Sequence, residues 1–226
     1  MSEKTEQERR FWDQWAKNHI QDYDVDFKSH VHDFVLDYCA KDERERQILE
    51  MGCGSESFFT QCDAKKIFGL DISKTQLGRY PHTPILGDIK QFTSNDSFDV
   101  ILFPASLHHC PEEYKGILAN VYKHLNELGV LALIEPNLFH PHRIALKLGL
   151  IKAFSPGEEP LNPFSIDKFL TKNQRMNNCH LEYCNIYPPN TSKRMLIQQK
   201  LLGGFKRIKL LHPLIYPWFF GVYQKG

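Results

Sequence analysis

The stretch Ile48–Ser55, with the sequence Ile-Leu-Glu-Met-Gly-Cys-Gly-Ser, decides the fold of this chain of 226 residues. Its apolar beginning predicts a short buried strand, and Gly52 and Gly54 predict a tight turn at the end of that strand. Glycine adopts backbone angles and permits close approaches that a Cβ atom would forbid. A strand that continues through such a turn into a helix presents free backbone N–H groups above the sheet. The stretch therefore predicts a binding site for a nucleotide-type cofactor.

Two acidic residues follow the next two predicted strands. Asp71 ends the strand Lys66–Leu70, 19 positions beyond Gly52, which is the spacing at which a carboxylate meets ribose hydroxyls in strand–turn–helix–strand cofactor sites. The alternative is that Asp71 caps a helix beginning near Ser73, and we favour the ribose contact. Asp88 ends a third short strand, where its carboxylate can accept from the amine of a base while Ile89 packs against the ring. A simple turn would have the same Gly-Asp-Ile sequence.

The rest of the pattern predicts an α/β fold. Phe98–Phe103 is a fourth strand, Tyr114–Leu128 is a helix ended by Gly129, and Val130–Ile134 is a fifth strand. Strands that alternate with helices predict a doubly wound, mostly parallel sheet with helices on both faces, whose ligands bind at the carboxyl ends of the strands. His180–Tyr187 and Trp218–Gln224 complete seven strands, the last of them an antiparallel edge strand. Shorter helices are expected at 57–62, at 143–152 and, capped by Ser165, through Leu170.

Composition excludes several classes of protein. The 28 basic and 27 acidic residues nearly cancel, so no strong field favours a nucleic-acid partner. The six cysteines form no CxxC pair, which is typical of reduced thiols in a cytoplasmic protein. No secretory signal is visible, so we expect none, and no apolar run has the length of a membrane span. Nothing in the pattern indicates an oligomeric state.

The chain divides into an N-terminal helical region, 1–46, and a core, 47–226, in which 138–215 contains insertions on the substrate side. In the first helix Phe11 and Trp15 share one face. That face either packs on the core or forms a lid over the cofactor, and simple packing is the commoner use of an aromatic stripe.

Five motifs in order resemble those of the class I S-adenosylmethionine-dependent methyltransferases, in particular the small type 11 group that includes quinone-biosynthesis enzymes. The resemblance covers Gln47 to Asn137 and is carried by Glu50-Met51-Gly52-Cys53-Gly54, Asp71-Ile72-Ser73, Gly87-Asp88-Ile89, Phe98–Ile101 with Leu107-His108-His109, and Val130–Glu135. It implies a Rossmann-like fold and S-adenosylmethionine as the cofactor. The expected reaction is methyl transfer to a small-molecule, lipid-precursor or glycan acceptor.

The resemblance also implies a set of cofactor contacts. Gly52 and Gly54 would line the methionine portion, Asp71 the ribose and Asp88 the adenine amine, and Phe103 and Pro104 would contact the methionine end. The full set of expected cofactor residues is Glu50, Gly52, Cys53, Gly54, Asp71, Ile72, Asp88, Ile89, Phe103, Pro104 and His108. One departure is Glu56, which occupies the position of the family's third glycine and either repels the cofactor carboxylate or points to solvent.

Candidate catalytic residues follow the fourth and fifth strands. His108 and His109 titrate in the range useful for a general base, and Glu135 can orient a substrate hydroxyl or amine. Each of the three also has a purely structural interpretation. His140 and His142, taken with the other two histidines, lack the spacing of a metal site, and we expect no metal.

The C-terminal third supplies a candidate substrate-side surface. Residues 193–211 combine basic and apolar side chains without an acidic one, a pattern typical of a helix that contacts an anionic membrane or covers a lipid-like substrate. The alternative is a helical insertion packed on the sheet.

The residues alone are also compatible with two other functions. A nicotinamide-dependent oxidoreductase is disfavoured because Ser57 replaces the third glycine of its motif. A non-catalytic relative that binds a cofactor or a partner is made credible by Glu56.

Overall fold

Seven strands form one sheet in the computed structural model, which describes residues 3–19, 23–64, 66–186 and 208–226. The strands are β1 (Gln47–Met51), β2 (Lys66–Asp71), β3 (Thr83–Leu86), β4 (Phe98–Pro104), β5 (Leu125–Pro136), β6 (Asn177–Cys184) and β7 (Trp218–Gln224). Their order in the sheet is β3-β2-β1-β4-β5-β7-β6. Strands β1 to β5 pair in parallel, whereas β7 is antiparallel to both β5 and β6. The predicted doubly wound, mostly parallel sheet is confirmed.

The antiparallel strand β7 differs in position from the expectation. It lies between β5 and β6, so that β6 is the edge strand and β7 is one position inside it. Burial explains this arrangement, because Trp218–Tyr223 is buried along its whole length whereas every described residue of β6 is partly exposed. A strand with two apolar faces needs a neighbour on each side as well as cover above and below.

The helices are α1 (Glu3–Asn18), α2 (Val25–Asp37), α3 (Lys74–Leu77), α4 (Tyr114–His124), α5 (Pro141–Lys147), α6 (Pro163–Lys168) and α7 (His212–Ile215). Short 3₁₀ turns at Glu43–Glu45, Ile89–Gln91, Leu107–His109 and Lys209–Leu211 and a π turn at Phe169–Asn173 connect them.

Several predicted helix boundaries were wrong. Residues 57–62 form turns rather than a helix, because the N–H groups of Phe58 and Phe59 donate to the side chains of Glu50 and Ser57. Helix α4 ends at His124, and Leu128 rather than Gly129 adopts a positive φ, of 59°. Helix α6 is capped by Asn162, whose side chain accepts from two backbone N–H groups, and not by Ser165.

The hydrophobic core has a layer on each face of the sheet. Strand β4 shows how one strand feeds both layers, since Ile101 and Phe103 pack into one cluster and Val100 and Leu102 into the other. Helix α4 covers the first face through Ile117, Leu118 and Val121. Helix α2 covers the second face through Phe27, Val31 and Val35. Alternation along a fully buried strand requires apolar residues at every position, which is why β4 reads as one continuous apolar run.

The chain reverses its direction of sheet assembly at β1. Strand β1 pairs with β2 on one side and with β4 on the other, so the crossovers diverge at its carboxyl end. Glycine and acidic residues of the predicted site meet at this edge. Within the described part of the chain, no helix has the length and apolar character needed to cross a membrane. Most of the predicted membrane-contact segment 193–211 lies outside the described residues.

Candidate functional site

A cavity lies at the carboxyl ends of β1, β2, β3 and β4. The sheet side of its wall is built by residues that follow these strands, namely Gly52, Gly54, Asp71, Ile72, Gly87, Asp88, Ile89, Lys90, Ala105, Ser106, His109 and Cys110. Gln76 of α3 and four residues of α1, Lys4, Thr5, Glu8 and Trp12, close the remaining sides. The cavity is therefore at the place in the sheet where parallel α/β proteins bind their ligands.

The glycine turn after β1 has little room for any other residue. Gly52 and Gly54 have φ angles of 73° and 63°, a region that disfavours side chains with a Cβ atom. A Cβ atom on Gly52 would lie 2.3 Å from Cβ of Ser106. Ser106 is brought there by Ala105, which follows β4 with a φ of 59° and donates its N–H to the carbonyl of Ile134. Close contact between the turns after β1 and β4 thus shapes the floor of the cavity.

Asp71 fastens the glycine turn to the start of α3. Its two carboxylate oxygens accept from the backbone N–H groups of Gly54 and Ser73, each at 2.8 Å. Ser73 is itself the N-cap of α3, since its hydroxyl accepts from the N–H of Gln76. Burial raises the pKa of Asp71 above the ordinary value. The carboxylate therefore lines the cavity, and the N-cap of α3 is Ser73 rather than Asp71, which holds that cap by accepting from its N–H.

Two hydrogen-bond acceptors in the wall of the cavity are buried and lack a hydrogen-bond partner among the described residues. One is Oδ2 of Asp88, whose other oxygen accepts from the N–H of Lys90 at 2.9 Å. Its nearest cation is Nζ of Lys90, at 3.8 Å. The other is Oε1 of Gln76. Buried acceptors are normally paired, so these two oxygens indicate donors supplied by a ligand.

Helix α1 lies over the cavity. Thr5, Glu8 and Trp12 are three to four residues apart, which places them on one face. Asp13 fixes the helix by accepting from the hydroxyl of Ser73 at 2.7 Å and from the N–H of Thr75 at 3.1 Å. The aromatic face predicted from Phe11 and Trp15 packs against Phe154 instead, with ring centroids 5.6 and 6.5 Å away.

His109 and Glu8 meet across the cavity. The Nδ1 atom of His109 lies 2.8 Å from Oε1 of Glu8 and 3.2 Å from the hydroxyl of Ser155. The indole N–H of Trp12 donates to the same Glu8 oxygen at 3.0 Å. Both side chains of the pair line the cavity, so His109 is the one predicted catalytic residue that the structure places against it.

His108 and Glu135 have a different setting from the one expected of catalytic groups. Glu135 is fully buried and accepts from the N–H groups of Ser106, Leu107 and His108. Nδ1 of His108 lies 2.8 Å from the same carboxylate. Burial raises the pKa of Glu135 to about 8, and burial lowers the pKa of His108 well below its usual range. Neither lines the cavity, so the base role predicted for His108 and the substrate-orienting role predicted for Glu135 have no contact with it in the structure. The observed contacts of the two residues support the turn after β4.

Four more predicted cofactor residues lie outside the cavity wall. Glu50 points into the protein and accepts from Tyr80 Oη at 2.6 Å and Phe58 N at 2.8 Å. Cys53 packs with Leu77 and Tyr80. Phe103 belongs to the core, and the carbonyl of Pro104 accepts from the hydroxyl of Tyr23. The side chains of Glu50, Cys53 and Phe103 are therefore engaged in contacts within the protein rather than at the cavity.

Glu56 is held away from the cavity by an ion pair. Its Oε2 atom lies 3.1 Å from Nζ of Lys28 on α2, and Glu56 does not line the cavity. The repulsion of a cofactor carboxylate considered from the sequence therefore has no structural basis.

Sequence reasoning missed Gln76, Ala105, Ser106 and the α1 residues as parts of the wall. Ala105 and Ser106 directly follow the end of a predicted strand. The position that indicated Asp71, at the carboxyl end of a parallel strand, could have indicated them as well. Gln76 and Glu8 carry no local signal, because only packing brings their helices to the cavity.

Comparison with known proteins identifies the family of this chain. Residues 20–196 match a family model described as a methyltransferase domain. The chain belongs to this family. No curated protein matches the methyltransferase at a significant level.

Solved structures share the fold of this methyltransferase at low sequence identity. An S-adenosylmethionine-dependent methyltransferase from Archaeoglobus fulgidus has a TM-score of 0.60 and 14% identity, with 88% of this chain and 93% of that chain covered. The N-methyltransferase NodS from Bradyrhizobium japonicum, in complex with S-adenosyl-L-homocysteine, has a TM-score of 0.59 and 15% identity over 98% and 96% of the two chains. The cyclopropane synthase MmaA2 from Mycobacterium tuberculosis has a TM-score of 0.59 and 15% identity over 100% and 95%.

The chain is thus an S-adenosylmethionine-dependent methyltransferase, and its cavity fits that cofactor. The adenosyl group carries an amine and two ribose hydroxyls, which are the kind of donor that the unpartnered oxygens of Asp88 and Gln76 would accept from. Ile72 and Ile89 supply apolar surface on the same wall. Membership of the methyltransferase family also argues against the alternative function that we considered from the sequence, that of a nicotinamide-dependent oxidoreductase.

Proposed function

We propose that this methyltransferase modifies a small-molecule acceptor, of the metabolite, lipid-precursor or glycan class, that enters the cavity beside His109. The pairing of His109 with Glu8 across the cavity is the observation that carries the proposal. Two of the solved structures with this fold hold the plantazolicin methyltransferase BpumL with desmethylPZN analogues, and NodS is an N-methyltransferase. Because all of these share only the fold with this chain, its acceptor has to be argued from its own residues.

The cofactor would be held by residues on the strand side. Asp88 and Gln76 would accept from the donors of the adenosyl group, Asp71 would lie beside the ribose, and the turn from Gly52 to Gly54 would contact the methionine portion. S-adenosylmethionine supplies an electrophilic methyl group on a positively charged sulfur. The chain's own contribution is to position the acceptor in line with that group and to exclude water from it.

Helix α1 would act as a lid. Its cavity face presents Lys4, Thr5, Glu8 and Trp12, and the hydroxyl of Thr5 accepts from Nζ of Lys90 at 2.6 Å. A helix joined to the wall by these polar contacts and by Asp13 can release them together when it moves. Movement of the lid would admit the acceptor, and closure would keep water out.

His109 would act as the general base for an acceptor that carries a proton on its nucleophilic atom. When Nδ1–H donates to Glu8, Nε2 is left as the acceptor nitrogen of the neutral ring. Glu8 then stabilises the imidazolium that forms when Nε2 takes up a proton. The hydroxyl of Ser155 at 3.2 Å from Nδ1 helps to fix the orientation of the ring.

A lipid-like acceptor would agree with the basic, apolar character of residues 193–211. At the described end of this segment, Ile208 and Leu210 are exposed, and large exposed apolar side chains near basic ones suit an anionic membrane surface. Cosedimentation with vesicles of anionic and of neutral lipid tests the contact, and equal recovery in the absence of lipid and with both vesicles would contradict it.

Two experiments test the function. Calorimetric titration with S-adenosylhomocysteine should release heat with a stoichiometry of one per chain, whereas NAD should give none. Release of S-adenosylhomocysteine from S-adenosylmethionine is then measured with panels of amines, phenols, lipid precursors and glycans. Turnover confined to macromolecular acceptors, with none on the small-molecule panels, would overturn the proposed acceptor class while leaving the enzyme class intact.

A further inference from the structure

Three metal-ligating side chains meet outside the cavity, where α2 lies beside the edge strand β6. His30 on α2 and His180 and Glu182 on β6 each present one ligand atom, and the three atoms lie within 4.8 Å of one another. Two positions along a strand separate His180 from Glu182, so both side chains project from the same face of the sheet. His30 is far away in the sequence, and only the packing of α2 on the sheet brings it to this pair.

The distances in this cluster suit a small cation. Nε2 of His30 lies 2.8 Å from Oε1 of Glu182, and Nε2 of His180 lies 3.4 Å from Oε2 of the same carboxylate. Ligands bound at about 2.0–2.2 Å in tetrahedral geometry are separated by roughly 3.3 Å, so the observed separations need only small adjustments. Nε2 of His180 is buried and has no hydrogen-bond partner among the described residues, so this nitrogen can bind a cation when the ring proton is on Nδ1.

Aromatic neighbours hold the two imidazole rings. The ring of Phe34 lies 4.1 Å from that of His180 and 5.5 Å from that of His30, measured between centroids. The ring of Phe220 lies 5.9 Å from that of His180 and 6.1 Å from that of His30. Rings that are already oriented lose little conformational freedom on binding, and such preorganisation favours affinity. The side chain of His30 is 43% exposed, so solvent can supply a further ligand.

We propose that His30, His180 and Glu182 bind one divalent cation of the zinc class, with water completing its coordination. Two imidazoles and one carboxylate are typical ligands of Zn²⁺, whereas Mg²⁺ and Ca²⁺ prefer all-oxygen sites. The cation would join α2 to β6 between two hydrogen bonds at their ends, one from the N–H of Asp24 to the carbonyl of Ile186 and one from the hydroxyl of Tyr38 to the carbonyl of Cys179. This site is independent of methyl transfer, because none of its ligands lines the cavity. It also differs from our expectation of no metal, which considered other histidines.

The test uses the untagged full-length chain after treatment with a chelator and dialysis. Competition with a chromophoric zinc chelator should give one tight Zn²⁺ per chain, and Tm should rise by roughly 5 °C when free Zn²⁺ is about 100-fold above Kd. Mg²⁺ at the same concentration should leave Tm unchanged. Absence of a bound ion, or an equal shift with Mg²⁺, would overturn the proposal.

Matched variants locate the ion. His30→Asn, His180→Asn and Glu182→Gln should each weaken Zn²⁺ binding at least about tenfold, since loss of even an outer-shell partner has an effect of that size. His32→Asn, on the same helix, should bind Zn²⁺ like the original chain, and all four proteins should keep their affinity for S-adenosylhomocysteine. Unchanged zinc affinity in the three ligand variants would place the ion elsewhere and refute the site.

Co²⁺ provides a measurement that does not depend on how the variants fold. Bound to the original chain by imidazole and carboxylate, Co²⁺ should show visible d–d bands without the intense near-ultraviolet charge-transfer band of a thiolate ligand. A thiolate band would assign the ion to the cysteines and overturn the proposal.

Discussion

The Nδ1 atom of His109, at the end of the turn after β4, lies 2.8 Å from the Oε1 atom of Glu8 on helix α1. This pair joins the sheet side of the cavity to the helix that covers it. Because both residues line the cavity, the orientation of the histidine depends on the position of α1.

Replacing His109 with Gln should lower kcat by about 100-fold or more for an acceptor that must lose a proton, the size expected for loss of a general base. Affinity for S-adenosylhomocysteine should change by less than about threefold, because the ring faces the acceptor side in the proposed arrangement. Initial rates and calorimetry measure the two effects, with His124→Gln in α4 as the control. A fall in affinity that matches the fall in kcat would contradict a base role.

Replacing Trp12 with Ala should weaken binding of S-adenosylhomocysteine by roughly tenfold, because the indole covers the cavity and positions Glu8. Arg10→Ala alters the exposed side of the same helix and should have no such effect. Calorimetric Kd values for the two variants make the comparison, and equal values would show that α1 does not contact the bound ligand.

Replacing Asp88 with Asn should reverse the preference of the site for adenine over a base that carries a carbonyl in place of the amine. The unpartnered Oδ2 atom can accept from the amine of adenine, and its replacement by an amide nitrogen turns this acceptor into a donor. Loss of such a buried hydrogen bond corresponds to about 1–3 kcal/mol, or roughly a tenfold to hundredfold weaker binding of S-adenosylhomocysteine. The inosine analogue, which carries a carbonyl in place of the amine, should bind the variant more tightly than it binds the original chain.

Calorimetry with both ligands measures this preference, and Asp96→Asn on the exposed surface serves as the control. Parallel weakening of both ligands in Asp88→Asn would mean that Asp88 does not contact the base.

Gly52→Ala should lower the free energy of unfolding by about 2–4 kcal/mol, because a positive φ and overpacking act together. The added Cβ atom would lie 2.3 Å from Cβ of Ser106. Gly149 has a similar φ of 71° with no neighbour within 4 Å, so Gly149→Ala should show the backbone contribution alone, at about 1 kcal/mol. Urea unfolding of the two variants separates the backbone contribution from the contribution of overpacking. Equal losses in the free energy of unfolding would exclude a role for the contact with Ser106.

Glu135 should make stability fall as pH rises. Burial raises its pKa from 4.5 to about 8, so the folded state binds more protons than the unfolded state, and the stabilising contribution is fully present below pH 4.5 and is lost as pH rises through 8. His108 acts in the opposite direction, since burial lowers its pKa below 6.5 and its contribution is lost as pH falls below that value. Of these two groups, only Glu135 changes its protonation between pH 6.5 and 8. Over this interval it lowers the free energy of unfolding by about 2 kcal/mol.

Comparison of the original chain with Glu135→Gln isolates this effect. The variant should be less stable at every pH because Gln cannot accept from all the donors that meet the carboxylate, but its stability should change less between pH 6.5 and 8. Urea unfolding across this interval provides the measurement. Parallel curves for the two proteins would show that Glu135 is already ionised at pH 6.5.

The sequence by itself determined the parallel strands of the sheet and the edge at which the cavity lies. Ile48–Ser55, Lys66–Asp71 and Phe98–Pro104 are local patterns of apolar strand, glycine turn and acidic terminus, and parallel strands have to bring their carboxyl ends to one edge. For this reason the sequence alone places Gly52, Gly54, Asp71 and Asp88 at that edge.

Only the tertiary structure decided which side chains face the cavity. His108 and His109 are adjacent in the sequence, yet one turns inward to Glu135 and the other turns to Glu8, because the 3₁₀ turn at Leu107–His109 points successive side chains in different directions. Lys28 holds Glu56 away from the cavity, and α1 brings Trp12 to its wall. Each of these contacts joins residues that are distant along the chain, and their geometry depends on how whole helices pack on the sheet rather than on any local pattern.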